Sequence, residues 1–113
     1  MLGLPHNLAP EIPRHVYIVH PQKINSGSVE ILQFAGASGR DFSARAVPPN
    51  IGALSLRFPV RDMGSLLARL HRSGIALAAG PVTLPMPPYG VVRTLAIRSP
   101  DGALLEFFQV VEP

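Results

Sequence analysis

Apolar and polar residues change their rhythm several times along the chain. Residues 1 to 13 carry Pro5, Pro10 and Pro13 with little periodicity, the pattern of an irregular or extended arm. Residues 14 to 20, RHVYIVH, are β-branched and aromatic and predict a strand. The polar, turn-forming stretch from Pro21 to Ser28 separates it from a second strand, VEILQF, at Val29 to Phe34. The two should pair as a hairpin. Gly, Ala, Ser and Pro dominate residues 35 to 52, which end near Pro48 and Pro49 and read as a linker.

From residue 53 the pattern sharpens. Leu54, Leu56, Phe58 and Val60 alternate with Ala53, Ser55, Arg57 and Pro59, which predicts a half-buried strand. Asp62 is placed to cap a helix, and Met63, Leu66, Leu67 and Leu70 then recur at helical spacing. Gly74 suits the position just past the helix end. Ile75 to Leu84 predicts a strand interrupted at Gly80-Pro81, and Pro85 to Gly90 a loop. Val91 to Arg98 and Ala103 to Val111 predict two more strands, joined by the turn Pro100-Asp101-Gly102. The order from residue 53 is β-α-β-β-β, an α+β arrangement.

Composition narrows the class without naming a function. At 113 residues the chain fits one domain, and 47% apolar against 15% charged residues argues for a packed core rather than disorder. No cysteine is present, which excludes disulfides, thiol catalysis and cysteine-held zinc. The apolar runs are too short to span a bilayer and no signal peptide opens the sequence, so the expectation is a cytoplasmic protein with no membrane partner. Nine scattered Arg and one Lys give a net charge of +3, but no basic run accompanies the seven aromatics, so nucleic acid is not an expected partner.

The stretches LSLRFPVRDMGSLLARLHRSGIAL and VVRTLAIRSPDGALLEFFQV carry a resemblance. Their order and punctuation resemble one βαβββ module of the vicinal oxygen chelate superfamily, the glyoxalase, bleomycin-resistance and extradiol dioxygenase group. The stretch HVYIVHPQKINSGSVEILQF resembles a closing hairpin of the same superfamily, close to that of methylmalonyl-CoA epimerase-like members. The resemblance implies a single glyoxalase-like domain over residues 1 to 113. Residues 1 to 34 would hold the last strands of an incomplete first module, 35 to 52 the linker and 53 to 113 a complete second module. The fold implied is a cup-shaped mixed sheet.

It also implies a site. Members of the superfamily hold a divalent metal in the cup, with one ligand from the first strand and one from the last strand of each module. By position the last-strand residues are Glu30 and Glu106, and the first-strand position, often His, is Ser55. Two carboxylates make a poor transition-metal site, so no tightly bound metal is expected. A hard divalent ion with several waters remains an alternative cofactor.

Alternation along the strands puts Glu30 with Leu32 and Phe34, and Glu106 with Leu104 and Phe108. If these faces line the cup, burial should raise both carboxyl pKa values toward a general-base range. Arg57 shares the Ser55 face and could bind an anionic group or pair with Glu30 or Glu106. Arg93 could do either. Tyr89, in the loop Met86-Pro87-Pro88-Tyr89-Gly90, could close over a ligand, and Phe108, on the Glu106 face, is a further candidate for ligand binding. His6, His15, His20 and His71 lack metal-ligand spacing.

Three functions compete. The first expectation is a protein that binds a small apolar or anionic compound in the cup, as drug-sequestering members do. The alternative is an enzyme, an isomerase or epimerase, lyase or dioxygenase, using Glu30 and Glu106 as bases or metal ligands. The third is a degenerate module that only dimerises. The apolar second face of the hairpin predicts a homodimer, with the N-terminal arm folding back over it as the competing solution.

Overall fold

The computed structural model describes residues 12–20, 23–36, 40, 43–45 and 54–112. Most of the Pro-rich arm with His6, and most of the stretch read as a linker with Pro48, Pro49 and Ala53, lie outside the described residues. The chain divides into two compact units, Met1–Arg40 and Asp41–Pro113. The fold is α+β, with strands in mixed pairing and one α-helix among the described residues.

In the first unit, β1 (Arg14–Val19) and β2 (Val29–Phe34) form an antiparallel hairpin. Arg14 pairs with Phe34 and Val19 with Val29. This register puts Tyr17 and Val19 on one face with Ile31 and Val29, and Val16 and Ile18 on the other with Leu32 and Glu30. Val16, Tyr17, Ile18, Val19, Ile31 and Leu32 are all exposed. Both faces of the ribbon are therefore apolar and open. The two strands make a sheet of their own, so the single cup-shaped sheet expected from the sequence is replaced by two separate sheets.

The second unit begins, among its described residues, with a short 3-10 helix at Ser43–Arg45. It continues with β3 (Ser55–Pro59), α1 (Met63–Arg72), β4 (Leu77–Pro85), β5 (Val91–Arg98) and β6 (Leu104–Glu112). The sheet order is β3-β6-β5-β4, with β3 parallel to β6 and the remaining pairs antiparallel. A parallel pair needs a crossover, and here α1, β4 and β5 supply it.

The helix starts where the sequence sets its cap. Asp62 accepts from the Gly64 and Ser65 amides at 2.8 and 3.2 Å and from the Ser65 hydroxyl at 2.6 Å. The Ser65 hydroxyl bond, then the Ser65 and Gly64 amides, hold the Asp62 carboxyl below its ordinary value. Gln109 adds an acceptor that no local pattern announces: its Oε1 takes the Met63 amide at 2.8 Å. At the other end Gly74 adopts a positive φ of 66°. There Ile75 N–H bonds Leu70 O and Gly74 N–H bonds His71 O, which closes the last turn as a Schellman motif.

The core lies between α1 and one face of the sheet. Met63 and Leu70 of the helix pack with Leu95 and Ile97 of β5, flanked by Val60, Leu66, Leu67, Leu105 and Phe107. Phe58 stacks on Phe107 with ring centroids 5.6 Å apart. Leu54 and Leu56, expected to share this burial, are exposed. The partly buried residues packed on the cluster include Val60 but neither of these two.

The interruption expected at Gly80-Pro81 is a register shift inside one strand. β4 pairs with β5 on both sides of it, Ala79 with Ala96 and Val82 with Thr94. The turn at Pro100-Asp101-Gly102 is closed by the Gly102 amide on Ser99 O and the Ser99 amide on Ala103 O, both 2.9 Å.

Candidate functional site

The sheet face turned away from α1 carries the chemistry. Register places Arg57 beside Glu106, Glu106 beside Ala96, and Thr94 beside Phe108, so these side chains share that face. Arg93 pairs with Gln109 and alternates onto the helix side, so it does not join the site.

Ser55, Arg57 and Glu106 meet. The Ser55 hydroxyl donates to Glu106 Oε1 at 2.8 Å, and Arg57 Nε donates to Glu106 Oε2 at 2.8 Å. The Arg57 side chain is 45% exposed and that of Glu106 20%. Of the two roles open to Arg57, the ion pair with Glu106 is formed.

This arrangement corrects the expectation that burial would raise the Glu106 pKa. Partial burial is the largest single influence and does push the carboxyl up. The hydrogen bonds from Ser55 and Arg57 and the Arg57 charge together outweigh it, and the carboxyl sits below its ordinary value. Glu106 is therefore a fixed anion at neutral pH, with both oxygens engaged. Glu30 lies exposed on β2 in the first unit, so the burial expected of it is not found there.

An open concavity of about 520 Å³ adjoins this cluster. Arg57, Leu104 and Glu106 line one part of it. Thr94, Leu95 and Ala96 line the middle, and Ala79, Gly80, Val82, Leu84 and Pro85 of β4, with Met86 and Pro87, line the rest. Its size falls within the roughly 300–1,000 Å³ of small-molecule sites. The Thr94 hydroxyl already donates to Phe107 O at 3.1 Å. The β4 contribution was not anticipated from sequence. A strand that pairs across a register shift gives no clean alternation from which to read its inner face. A second depression, lined by Ser65, Leu67, Ala68, Arg69, His71 and Arg72, is a stretch of the surface of α1 alone.

Tyr89 and Phe108 find each other, with ring centroids 4.8 Å apart and planes inclined by 41°. Phe108 is buried and Tyr89 exposed, and neither lines the concavity. The loop bearing Tyr89 is pinned by the Met86 amide on Gly90 O and the Tyr89 amide on Met86 O, both 2.8 Å.

The described residues do not fit a transition metal. Among the described residues no group of three or more His, Cys, Asp or Glu side chains could hold an ion. Ser stands at position 55, and its hydroxyl donates a hydrogen bond to Glu106. No helix among the described residues is long and apolar enough to cross a membrane.

No protein-family model matches the chain, and no curated protein sequence is similar to it. Among solved structures it is similar to a virulence protein of Salmonella typhimurium at 25% identity and a TM-score of 0.45, over 57% of this chain and 56% of that one. It is also similar to a protein from the mobile metagenome of V. pseudocholerae, at 18% identity over 86% of this chain and 77% of that one, TM-score 0.45. A third is an integron cassette protein of V. cholerae, at 17% identity over 83% of this chain and 75% of that one, TM-score 0.46. The chain thus spans a little over half the length of the Salmonella protein it matches.

Proposed function

We propose that this protein binds a small, largely apolar molecule in the concavity of its four-stranded sheet, without a tightly held transition metal, as a glyoxalase-like binding protein. The observation that carries this reading is the concavity itself, walled by Val82, Leu84, Pro85, Ala96 and Leu104 with polar groups gathered at the Arg57 and Glu106 end. A mostly apolar pocket with a few convergent polar groups is the usual form of a small-molecule site. The enzymatic alternative is less well supported. A general base works best with a pKa near the working pH, whereas Glu106 accepts from Ser55 and Arg57 and is held low.

The test is titration of a neutral naphthylamine dye, which brightens in apolar surroundings. Saturable binding is expected in the parent protein. Val82 is exposed on β4 and lines the concavity, so Val82→Glu should preserve the fold. Placing an unpartnered charge against the ligand should weaken binding about tenfold or more. Equal binding by the variant would place the dye elsewhere and remove the reading.

The same reading includes a homodimer. An isolated two-stranded ribbon is marginal in water, and β1–β2 exposes apolar side chains on both faces. A second copy of the chain would cover them with closed symmetry. Light scattering at micromolar concentration should give twice the 12.1 kDa chain mass. A single-chain mass would show that the ribbon needs no partner copy.

A further inference from the structure

We infer that the bound molecule is an amphipathic monoanion, an apolar body ending in one carboxylate, and that Arg57 takes this head through its terminal guanidinium nitrogens while Ser55 and Glu106 act as positioning residues that hold Arg57. The inference rests on the binding role proposed above and names its ligand class.

Glu106 and Arg57 are committed unequally. Each Glu106 oxygen already accepts a bond, one from Ser55 and one from Arg57. Arg57 has spent only Nε, one of the five N–H donors of a guanidinium. Its two terminal nitrogens make no hydrogen bond to a described residue, and the side chain is half exposed at the rim of the concavity. A guanidinium held along its Nε edge still offers its terminal N–H groups, and a carboxylate can take two of them side by side.

The rest of the wall sets what else the ligand can be. Thr94 has its hydroxyl donated to Phe107 O, and the other lining side chains are apolar. A ligand with polar groups along its body would leave them unpaired. A cationic head would have to displace Arg57 from Glu106. A dianion such as a phosphate monoester exceeds what one guanidinium, already shared with a carboxylate, can neutralise. The apolar floor runs from β6 across β5 to β4, so the head and the tail occupy opposite ends of one groove.

The tether is the part that depends on this chain. Arg57 stands on β3, an edge strand, where nothing on its outer side orders a long side chain among the described residues. Glu106 on the neighbouring strand fixes Nε, and Ser55, two residues back on β3, fixes Glu106. Pre-ordering the guanidinium lowers the entropy lost when the ligand's head is seated.

Calorimetric titration of the full chain with octanoate, octanol, octylammonium and octyl phosphate tests this. Octanoate is expected to bind about tenfold more tightly than octanol, the typical gain from a charge-assisted pair. Octylammonium should bind more weakly than octanol, and octyl phosphate no better than octanoate. Arg57→Met should bring octanoate down to the affinity of octanol, and Arg57→Lys should recover part of the difference. Ser55→Ala should shrink the preference for octanoate, and Ser55→Thr, which keeps the hydroxyl, should restore it. Equal affinities for octanoate and octanol in the parent protein would overturn the inference while leaving the apolar site standing. A preference for octylammonium would overturn it in favour of a cation on Glu106. Tighter octyl phosphate would overturn the single-charge limit. Absence of binding by all four, together with the neutral dye, would remove the binding role itself. The comparison among ligands uses the unaltered protein, so it does not depend on any variant folding.

Discussion

Leu95→Ala is expected to lower the unfolding free energy by about 3 kcal/mol, within the 2–5 kcal/mol typical of emptying a core leucine site. Leu95 is 2% exposed and sits on β5, an inner strand. It packs beneath α1 with Met63, Leu70 and Ile97. Leu95 lies on an inner strand beneath a single helix, so few neighbours can move in to fill the space. The fully or nearly buried apolar set among the described residues is small: Met63, Leu70, Val92, Leu95, Ala96, Ile97 and Phe108. Removing one of the large ones from so small a core takes a sizeable part of the 5–15 kcal/mol that a domain usually has. Urea unfolding followed at the helical circular dichroism band reports this unit, because α1 belongs to it. Leu56→Ala, on an exposed β3 position, should change stability by less than about 0.5 kcal/mol. Similar losses for the two variants would mean that the cluster beneath α1 is not the core.

Gly80→Ala should be nearly as damaging, although it adds a methyl group rather than removing several. Gly80 has a φ of 79°, a region that costs an L-residue about 1–2 kcal/mol. A Cβ there would lie 2.7 Å from Thr94 O and 3.0 Å from Leu95 Cα. Both are backbone atoms of an inner strand, so relief requires β4 to move away from β5. We expect a total loss of about 3 kcal/mol once this overpacking is added. Gly74→Ala is the matched control. Gly74 has a φ of 66° with nothing within 4 Å of an added Cβ, so only the conformational cost of about 1–2 kcal/mol applies. Thermal unfolding of the two variants side by side isolates the steric part. If they lose the same amount, β4 does not approach β5 as closely as described.

The elements that were legible in the sequence are those written in neighbouring residues. Asp62 and Gly74 bracket α1 because capping is decided within a few positions. The Asp101-Gly102 turn and the alternation that groups Leu104, Glu106 and Phe108 are local in the same sense. The face shared by Ser55 and Arg57 was readable for this reason too, and so was their nearness to Glu106 once a module topology was assumed.

What escaped depends on register. The protonation of Glu106 is decided by Ser55 and Arg57, which are 51 and 49 positions away. Burial, taken alone, gave the opposite direction. The Gln109 bond to the Met63 amide spans 46 positions and looks from sequence like any polar residue on a strand. The contact between the Tyr89 and Phe108 rings joins a loop to a strand and is announced by no local pattern. The inner wall supplied by β4 was hidden by the shift at Gly80-Pro81, which breaks the two-residue rhythm on which face assignment depends.

The position of β6 inside the sheet has a consequence for synthesis. It is the last of the described strands to be translated, yet it lies between β3 and β5. While the ribosome is still adding it, β3 has no strand to pair with, and Leu105 and Phe107 are missing from beneath α1. A nascent chain stalled before residue 104 would hold a helix and a β4–β5 hairpin with half a floor, open to chaperones and proteases. Formation of the second unit must therefore wait until residues 104 to 112 have been made, and closure of the long β3–β6 loop, rather than helix formation, should set its rate.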